Sequence, residues 1–198
     1  MFLQACFFSA FSLLVHTAAA SLDKNFLRKI EDVKANSRDR ITGSVFLTKE
    51  NVMTTILPNS GGFKTVARGE YFINAQNTGF NYLSVEYDSN QEFDYVTTMR
   101  AAGFIEGSLT CEEIRIFYPN FYADSFGDEE IPGEVANFIK QNYNWVQEQA
   151  SKGENAYWHT IRGLLAQMDG ILEGYAQSNC GQNSTFDLQQ LLYMNAWY

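Results

Sequence analysis

Basic and histidine side chains are scarce in this 198-residue sequence. It has two histidines, and its 14 lysines and arginines stand against 23 aspartates and glutamates, which gives a net charge of −9. Nucleic-acid binding calls for a basic surface, so this charge balance argues against a nucleic-acid partner. It argues equally against simple electrostatic binding to anionic membranes.

The motifs of several common chemistries are also missing. The sequence contains no G-x-S-x-G elbow of a serine hydrolase, no Walker loop and no G-x-G-x-x-G nucleotide-binding loop. Its three cysteines and two histidines do not have zinc-ligand spacing, and its acidic pairs do not fit an EF-hand. We therefore expect neither a metal site nor a cofactor site.

Long apolar runs are limited to the N-terminus, where residues 1–20 carry no charged side chain. The apolar run from Ala5 to Val15 is shorter than the roughly 20 residues that span a bilayer. Small residues follow it and end at Ala20, so we interpret residues 1–20 as a signal peptide cleaved between Ala20 and Ser21. No later segment is apolar enough to span a membrane, and we expect a secreted or lumenal chain.

Removal of this peptide leaves Cys111, Cys180 and a single histidine, His159. In the oxidising secretory pathway the two cysteines are a candidate disulfide pair. Asn183 begins an N-x-[ST] sequon, which we interpret as a glycosylation site.

Apolar periodicity divides the mature chain, residues 21–198, into three parts. Apolar residues at helical spacing predict an amphipathic helix over 22–38. Residues 43–88 are β-rich, and residues 91–198 are helical. Antiparallel strands followed by helices predict the α/β (α+β) class. The predicted strands are 44–48, 53–57, 64–73 and 80–87, with a polar loop at 74–79. The predicted helices are 91–110, 112–123, 134–151, 157–175 and 185–196, the second disturbed or divided by Pro119.

The stretch YWHTIRGLLAQMDGILEGY, residues 157–175, combines a histidine, an arginine and two acids on one predicted helix. One side of this helix carries the small residues: Gly163, Ala166, Gly170 and Gly174. The opposite side is apolar, so we expect packing on both faces. Asp169 lies about 15 Å along the axis from His159, too far for a hydrogen-bonded dyad. We expect His159 to be packed and hydrogen-bonded, and Arg162 to pair along the surface, for instance with Asp169.

Cys111 and His159 are the weak catalytic candidates. A cysteine near a helix N-terminus can have a lowered pKa, but nothing in the sequence pairs Cys111 with a base. A buried thiol or half of a disulfide is the favoured interpretation of Cys111. The residues by themselves therefore name no reaction.

Four sequence blocks resemble the phospholipase B-like family of lysosomal and secreted hydrolases. They are AAGFIEGSLT (101–110), NYNWVQEQ (142–149, with Trp145 at its centre), YWHTIRGLLAQMDGILEGY (157–175) and DLQQLLYMNA (187–196). The blocks follow the family's order and approximate spacing, so the resemblance extends from about Gly43 to the C-terminus.

This resemblance implies an N-terminal nucleophile hydrolase with a partial αββα architecture. In such enzymes a cysteine released by autocatalytic cleavage is the nucleophile, and its own α-amine is the base. The family is associated with removal of fatty acyl chains from phospholipids, whereas its fold relatives hydrolyse amides, so ester and amide substrates both stay open.

In the family the nucleophile follows the segment that matches residues 21–198. The resemblance therefore implies an N-terminal half that lacks the C-terminal catalytic portion and is inactive alone, whether as a truncated gene product or as a stand-alone protein. A non-catalytic secreted binding or structural module and a small subunit of an N-terminal nucleophile amidase are the alternatives. A half-enzyme is expected to expose more apolar surface than the few hundred Å² that are usual for a monomer.

Overall fold

The computed structural model describes residues 39–48, 52–55, 64–87, 93–182 and 184–196. The predicted signal peptide with its cleavage point between Ala20 and Ser21, the predicted helix 22–38 and the sequon residue Asn183 lie outside the described residues. Every structural statement below concerns the described part of the chain.

The strands form one four-stranded antiparallel sheet in the order β2-β1-β3-β4. The strands are β1 (Asp39–Leu47), β2 (Met53–Thr54), β3 (Lys64–Ile73) and β4 (Tyr82–Tyr87). Gly69 at the middle of β3 lies between Gly43 of β1 and Val85 of β4. The strand β1 begins five residues earlier than predicted, because its first half, with Arg40 and Thr42, has too few apolar residues to show a strand pattern.

Helices make up most of the remaining described residues. They are α1 (Ala75–Thr78), α2 (Tyr95–Leu109), α3 (Cys111–Phe126), α4 (Gly133–Lys152), α5 (Ala156–Gln177) and α6 (Leu188–Ala196). With the antiparallel sheet they confirm the predicted mixed α/β class. The side chain of Asp94 caps α2 by accepting from the N–H of Thr97, and that of Asn155 caps α5 by accepting from the N–H of Trp158.

Two local predictions were wrong, the first of them in part. Pro119 was expected to disturb or divide the second helix, and it does not divide α3, which runs through it to Phe126. Proline has no N–H, so the carbonyl oxygen of Arg115, four residues earlier, has no helical donor. Arg115 and Pro119 both lie on the exposed side of α3, where water can hydrate that carbonyl. The polar loop 74–79 contains the short helix α1, because the Asn81 side chain accepts from two backbone N–H groups at its start.

The main core lies between the sheet and α2. It contains Val45, Met53, Val66, Ala67, Ala101, Phe104 and Ile105. Gly69 lets α2 lie close to the sheet, since a Cβ at this position would lie 2.2 Å from Cγ2 of Ile105. The helix α2 is therefore held against the sheet by side chains from one of its faces.

The opposite side of α2 lies in backbone contact with α5. A Cβ on Gly103 would lie 2.0 Å from the carbonyl oxygen of Gln167, and one on Gly170 would lie 2.0 Å from the carbonyl oxygen of Arg100. This contact confirms the expected packing of the small-residue side of α5. The leucine side of α5, which includes Leu164 and Leu172, is half-buried.

Candidate functional site

Cys111 and Cys180 are joined by a disulfide. Cys111 begins α3 and Cys180 lies just after α5, with the two Sγ atoms bonded and the Cα atoms 5.8 Å apart. Both residues are buried. A nucleophilic cysteine must be a thiolate, so in this bonded state Cys111 offers no nucleophile.

His159 lies on the exposed side of α5, near its start. Its ring stacks on Tyr95, with 4.6 Å between the ring centroids. The expectation of a packed side chain is therefore met on one ring face only, because the residue as a whole is exposed. At about 1.5 Å per residue, His159 lies about 27 Å from Gln177 at the other end of the helix. Cys111 is bonded to Cys180, just after the end of α5, whereas His159 lies near the start of α5. The two weak catalytic candidates therefore lie at opposite ends of this helix.

Arg162 does not pair with Asp169, so that prediction was wrong. Its Nη1 donates to the carbonyl oxygens of Ala150 at 2.7 Å and Gly153 at 2.6 Å. The last carbonyls of a helix have no intrahelical donor, and a guanidinium can supply one. Arg162 therefore closes the C-terminus of α4 and fixes it to α5.

Of the two acids of α5, Glu173 forms an ion pair with Arg100 of α2, and Asp169 lies close enough to feel both charges. Glu173 accepts from Nε of Arg100 at 3.1 and 3.2 Å and from Nη2 of Arg100 at 2.5 Å. Partial desolvation and then the charge of Glu173 raise the pKa of Asp169, while Arg100 opposes this shift. Sequence reasoning missed the pair because its partners lie 73 residues apart.

Glu106 of α2 has a strongly perturbed carboxyl group. Burial raises the pKa of Glu106 from 4.5 to about 7, and a hydrogen bond donated by Gln167 Nε2, at 3.2 Å, opposes the shift. A carboxyl that titrates near neutral pH is the kind that proton-transfer sites use. No nucleophile is placed against Glu106 by the contacts of the described residues, so it is a proton-binding group without a complete site. In the sequence, only the small and apolar neighbours of this glutamate hint at its burial.

A cleft of about 500 Å³ lies between α3 and the segment that leads into α6. Aromatic rings line much of it, from Tyr118, Tyr122, Tyr175 and Phe186. The hydroxyl of Tyr122 donates to the carbonyl oxygen of Glu129 at 3.0 Å. The volume suits a small ligand, but the lining holds no general base, so the cleft is suited to binding more than to catalysis.

Metal chemistry has no candidate ligand set in the part of the chain that the structure describes, since no three His, Cys, Asp or Glu side chains are grouped there. Among the same residues, no helix combines the length and apolar character that a membrane crossing requires.

Comparison with known proteins identifies the family of this chain. The family model described as Phospholipase B matches residues 67–197, which include most of β3 and all of the later elements. The chain belongs to the phospholipase B family. The match confirms the resemblance that the helical sequence blocks carried.

Individual members of the phospholipase B family show the same relationship. Phospholipase B-like protein D of Dictyostelium discoideum is 28% identical over 131 residues, covering 66% of this chain and 23% of the relative. Phospholipase B-like protein G of the same organism is 32% identical over 127 residues, covering 61% and 21%. Phospholipase B of Crotalus adamanteus is 28% identical over 110 residues, covering 54% and 20%. The chain thus spans about a fifth of the length of the curated relatives it matches.

Proposed function

We propose that this protein acts in a phospholipase B-like hydrolase that removes fatty acyl chains from phospholipids. In this proposal the described residues are the scaffold, and the nucleophile comes from outside them. The observation that carries the proposal is the family match over residues 67–197. Cleavage of the acyl ester, rather than of an amide, follows the activity in the names of the matched relatives.

The chemistry of the described residues supports the scaffold role. Covalent hydrolysis needs a nucleophile within hydrogen-bond reach of a base. Both described cysteines are bonded to each other, and His159 lies against Tyr95. A cysteine released by autocatalytic cleavage, with its α-amine as base, would supply both missing groups from the catalytic portion.

The disulfide also supports a place in the secretory pathway. Disulfides persist in oxidising compartments and are rare in the cytosol. We propose cleavage between Ala20 and Ser21, a glycan on Asn183, and secretion or delivery to the lysosomal lumen. Intact mass before and after enzymatic deglycosylation tests both processing steps, and an unglycosylated product that starts at Met1 contradicts them.

The hydrolase proposal is tested with two preparations. One is the protein isolated from its own organism at whatever length it occurs, and the other is the 198-residue chain expressed alone in a secretory host. Each is incubated with phosphatidylcholine and, in parallel, with an N-acyl amide, and released fatty acid is measured by mass spectrometry. We expect ester cleavage by the native preparation and no release by the 198-residue chain.

Three results contradict parts of this proposal. Release from the amide alone makes the protein an amidase. Release from neither substrate by the native preparation refutes the hydrolase function. Release by the 198-residue chain that is lost in both Cys111→Ala and Cys180→Ala, while circular dichroism shows a retained fold, places the chemistry within this chain and refutes the scaffold role.

A further inference from the structure

Four aromatic rings of the cleft beside α3 form walls around it instead of a parallel stack. Tyr118 and Tyr122 come from α3, Tyr175 from the end of α5 and Phe186 from the segment before α6. The ring of Phe186 is inclined by 65° to that of Tyr118 and by 56° to that of Tyr175, and the rings of Tyr118 and Tyr122 are inclined by 55° to each other. Rings from three parts of the chain therefore meet around one cleft, and we call these four rings the aromatic cage.

Covalent and apolar contacts hold the walls of the aromatic cage together. The disulfide between Cys111 and Cys180 joins α3 to the segment that follows α5. Phe186 packs against the buried cluster that contains both cysteines, Ile114 and Tyr175. A site whose walls are fixed in advance loses little conformational entropy when a ligand binds.

The tyrosine hydroxyls of the aromatic cage already have partners within the protein. The bonds run from Tyr122 to the carbonyl oxygen of Glu129 at 3.0 Å, between Tyr175 and Ser184, and between Tyr118 and Gln190. The tyrosines therefore offer a ligand their ring faces more than their hydroxyl groups. A ligand with several N–H donors, such as a primary ammonium ion, would lose its bonds to water and find few acceptors in return.

The charge around the aromatic cage is strongly negative. Residues 111–132 and 176–196, which form and border the cleft, contain seven acidic side chains and one basic side chain, a net charge of −6. The base, Arg115, lines the cleft, but its Nε donates to the carboxylate of Glu112 at 2.7 Å. Asp187, by contrast, lies close enough to Tyr118 for its charge to act on that side chain. These charges favour a cation over an anion in the cleft.

We propose that the aromatic cage binds a quaternary ammonium cation of the choline type that is free in solution. Such a cation has no N–H group to satisfy, and aromatic rings within about 6 Å attract its charge. The acidic surroundings disfavour a phosphate attached to the ammonium group, which distinguishes this ligand from a lipid headgroup. The inference does not depend on the proposed hydrolase function, because binding at the cage requires no nucleophile.

Isothermal titration calorimetry on the native-length protein tests the choice of ligand at constant ionic strength. The probes are choline, tetramethylammonium, phosphocholine and the neutral isostere of choline, in which a tert-butyl group replaces the trimethylammonium group. We expect choline to bind about tenfold more tightly than the neutral isostere, because only the cation interacts with the ring quadrupoles. We also expect phosphocholine to bind more weakly than choline.

Three results of this titration overturn the proposal. Equal affinity for choline and its neutral isostere makes the cleft an apolar pocket. Absence of binding by both cations at tens of millimolar leaves the cage without this ligand. Tighter binding of phosphocholine than of choline refutes a free cation and makes the cleft a headgroup site.

Variants of the aromatic cage test where the cation binds. Tyr122→Leu and Phe186→Leu each replace a ring by an apolar side chain, so each is expected to weaken choline binding about tenfold. Tyr122→Phe keeps the ring and is expected to retain most of the binding. The matched control is Tyr157→Leu, since Tyr157 is 58% exposed and lies near the start of α5, at the opposite end of that helix from Tyr175. Equal weakening by the control, or unchanged affinity in both cage variants, overturns the assignment to the cage.

A measurement on the unchanged protein avoids any effect of the variants on folding. Nuclear Overhauser contacts are recorded from the methyl protons of bound choline to aromatic ring protons. We expect contacts to tyrosine and phenylalanine rings, since no tryptophan lines the cleft. Contacts to indole protons alone would place the cation elsewhere and overturn the proposal.

Discussion

Replacement of Gly170 by alanine tests the backbone contact between α2 and α5. The new Cβ would lie 2.0 Å from the carbonyl oxygen of Arg100 and 2.8 Å from the backbone nitrogen of Phe104. Ordinary van der Waals contact for a Cβ begins at 3.4 Å. Both obstructing atoms are backbone, so no side-chain rotation relieves the clash, and the helices must separate by about 1 Å or more.

Two opposing effects set the size of the change in stability. Alanine favours the helix by about 1 kcal/mol relative to glycine. Separation of the two helices, however, also weakens their packing at the other glycines of this contact, since Gly103 lies against the carbonyl oxygen of Gln167 and Gly107 against that of Ile171. Overpacking of a well-packed site costs about 1–3 kcal/mol and sometimes more. The upper end of that range, reduced by the gain in helix propensity, gives an expected fall of about 2 kcal/mol in the free energy of unfolding, compared with the 5–15 kcal/mol typical of a domain.

The measurement is urea unfolding followed by far-UV circular dichroism, with Gly133→Ala as the matched control. Gly133 begins α4, and a Cβ added there would have no heavy atom within 4 Å, so its replacement should cost nothing. The variant Gly103→Ala/Gly170→Ala should lose less than the sum of the single losses, because the first separation makes room for the second methyl. A Gly170→Ala protein within 0.5 kcal/mol of the unchanged chain, on the order of ordinary surface substitutions, would refute the close packing.

Three further predictions concern polar and covalent contacts. Since burial raises the pKa of Glu106 from 4.5 to about 7, its contribution to stability is full below pH 4.5 and is lost as the pH rises to 7. Because Glu106 keeps some solvent contact, we expect the free energy of unfolding to fall by about 1–2 kcal/mol between pH 4.5 and 7. Urea unfolding at several pH values should show this fall in the unchanged chain and not in Glu106→Gln. Arg162→Met should cost about 1–3 kcal/mol and speed amide exchange at the C-terminus of α4, and unchanged exchange there contradicts the capping role. Replacing both Cys111 and Cys180 by serine should lower the free energy of unfolding by about 4 kcal/mol, given the 69-residue separation; a melting temperature that dithiothreitol leaves unchanged contradicts this.

The sequence predicted the helices well because their apolar residues recur at helical spacing. The predicted helix 134–151 corresponds to α4 (Gly133–Lys152), and 157–175 lies within α5 (Ala156–Gln177). The small-residue side of α5 was also recognisable, since four glycines and alanines fall on one side at 100° per residue. Local periodicity is enough for such predictions because neighbours on a helix face are close in sequence.

The side-chain partners across the fold could not be predicted in the same way. The Arg100–Glu173 ion pair joins residues 73 positions apart, and the bond from Tyr71 to Glu113 joins residues 42 apart. For Arg162, an acid on its own helix was the evident partner in the sequence, but the carbonyl oxygens of Ala150, in the last turn of α4, and of Gly153, just after it, accept its hydrogen bonds instead. Which partner a side chain takes depends on how helices and strands pack against one another, and the residue pattern of a single helix does not show this.

In two of the four blocks that resemble the family, close helix packing restricts the residue type. AAGFIEGSLT contributes Gly103 and Gly107, and the block at 157–175 contributes Gly170 and Gly174. Each of these glycines lies where a Cβ would come within 2.0–2.1 Å of a backbone oxygen of the partner helix. A larger residue there would force the helices apart, so a chain can differ widely elsewhere and still need these glycines. The contact between α2 and α5 therefore demands glycine at these four positions for a structural reason alone, independent of any catalytic role.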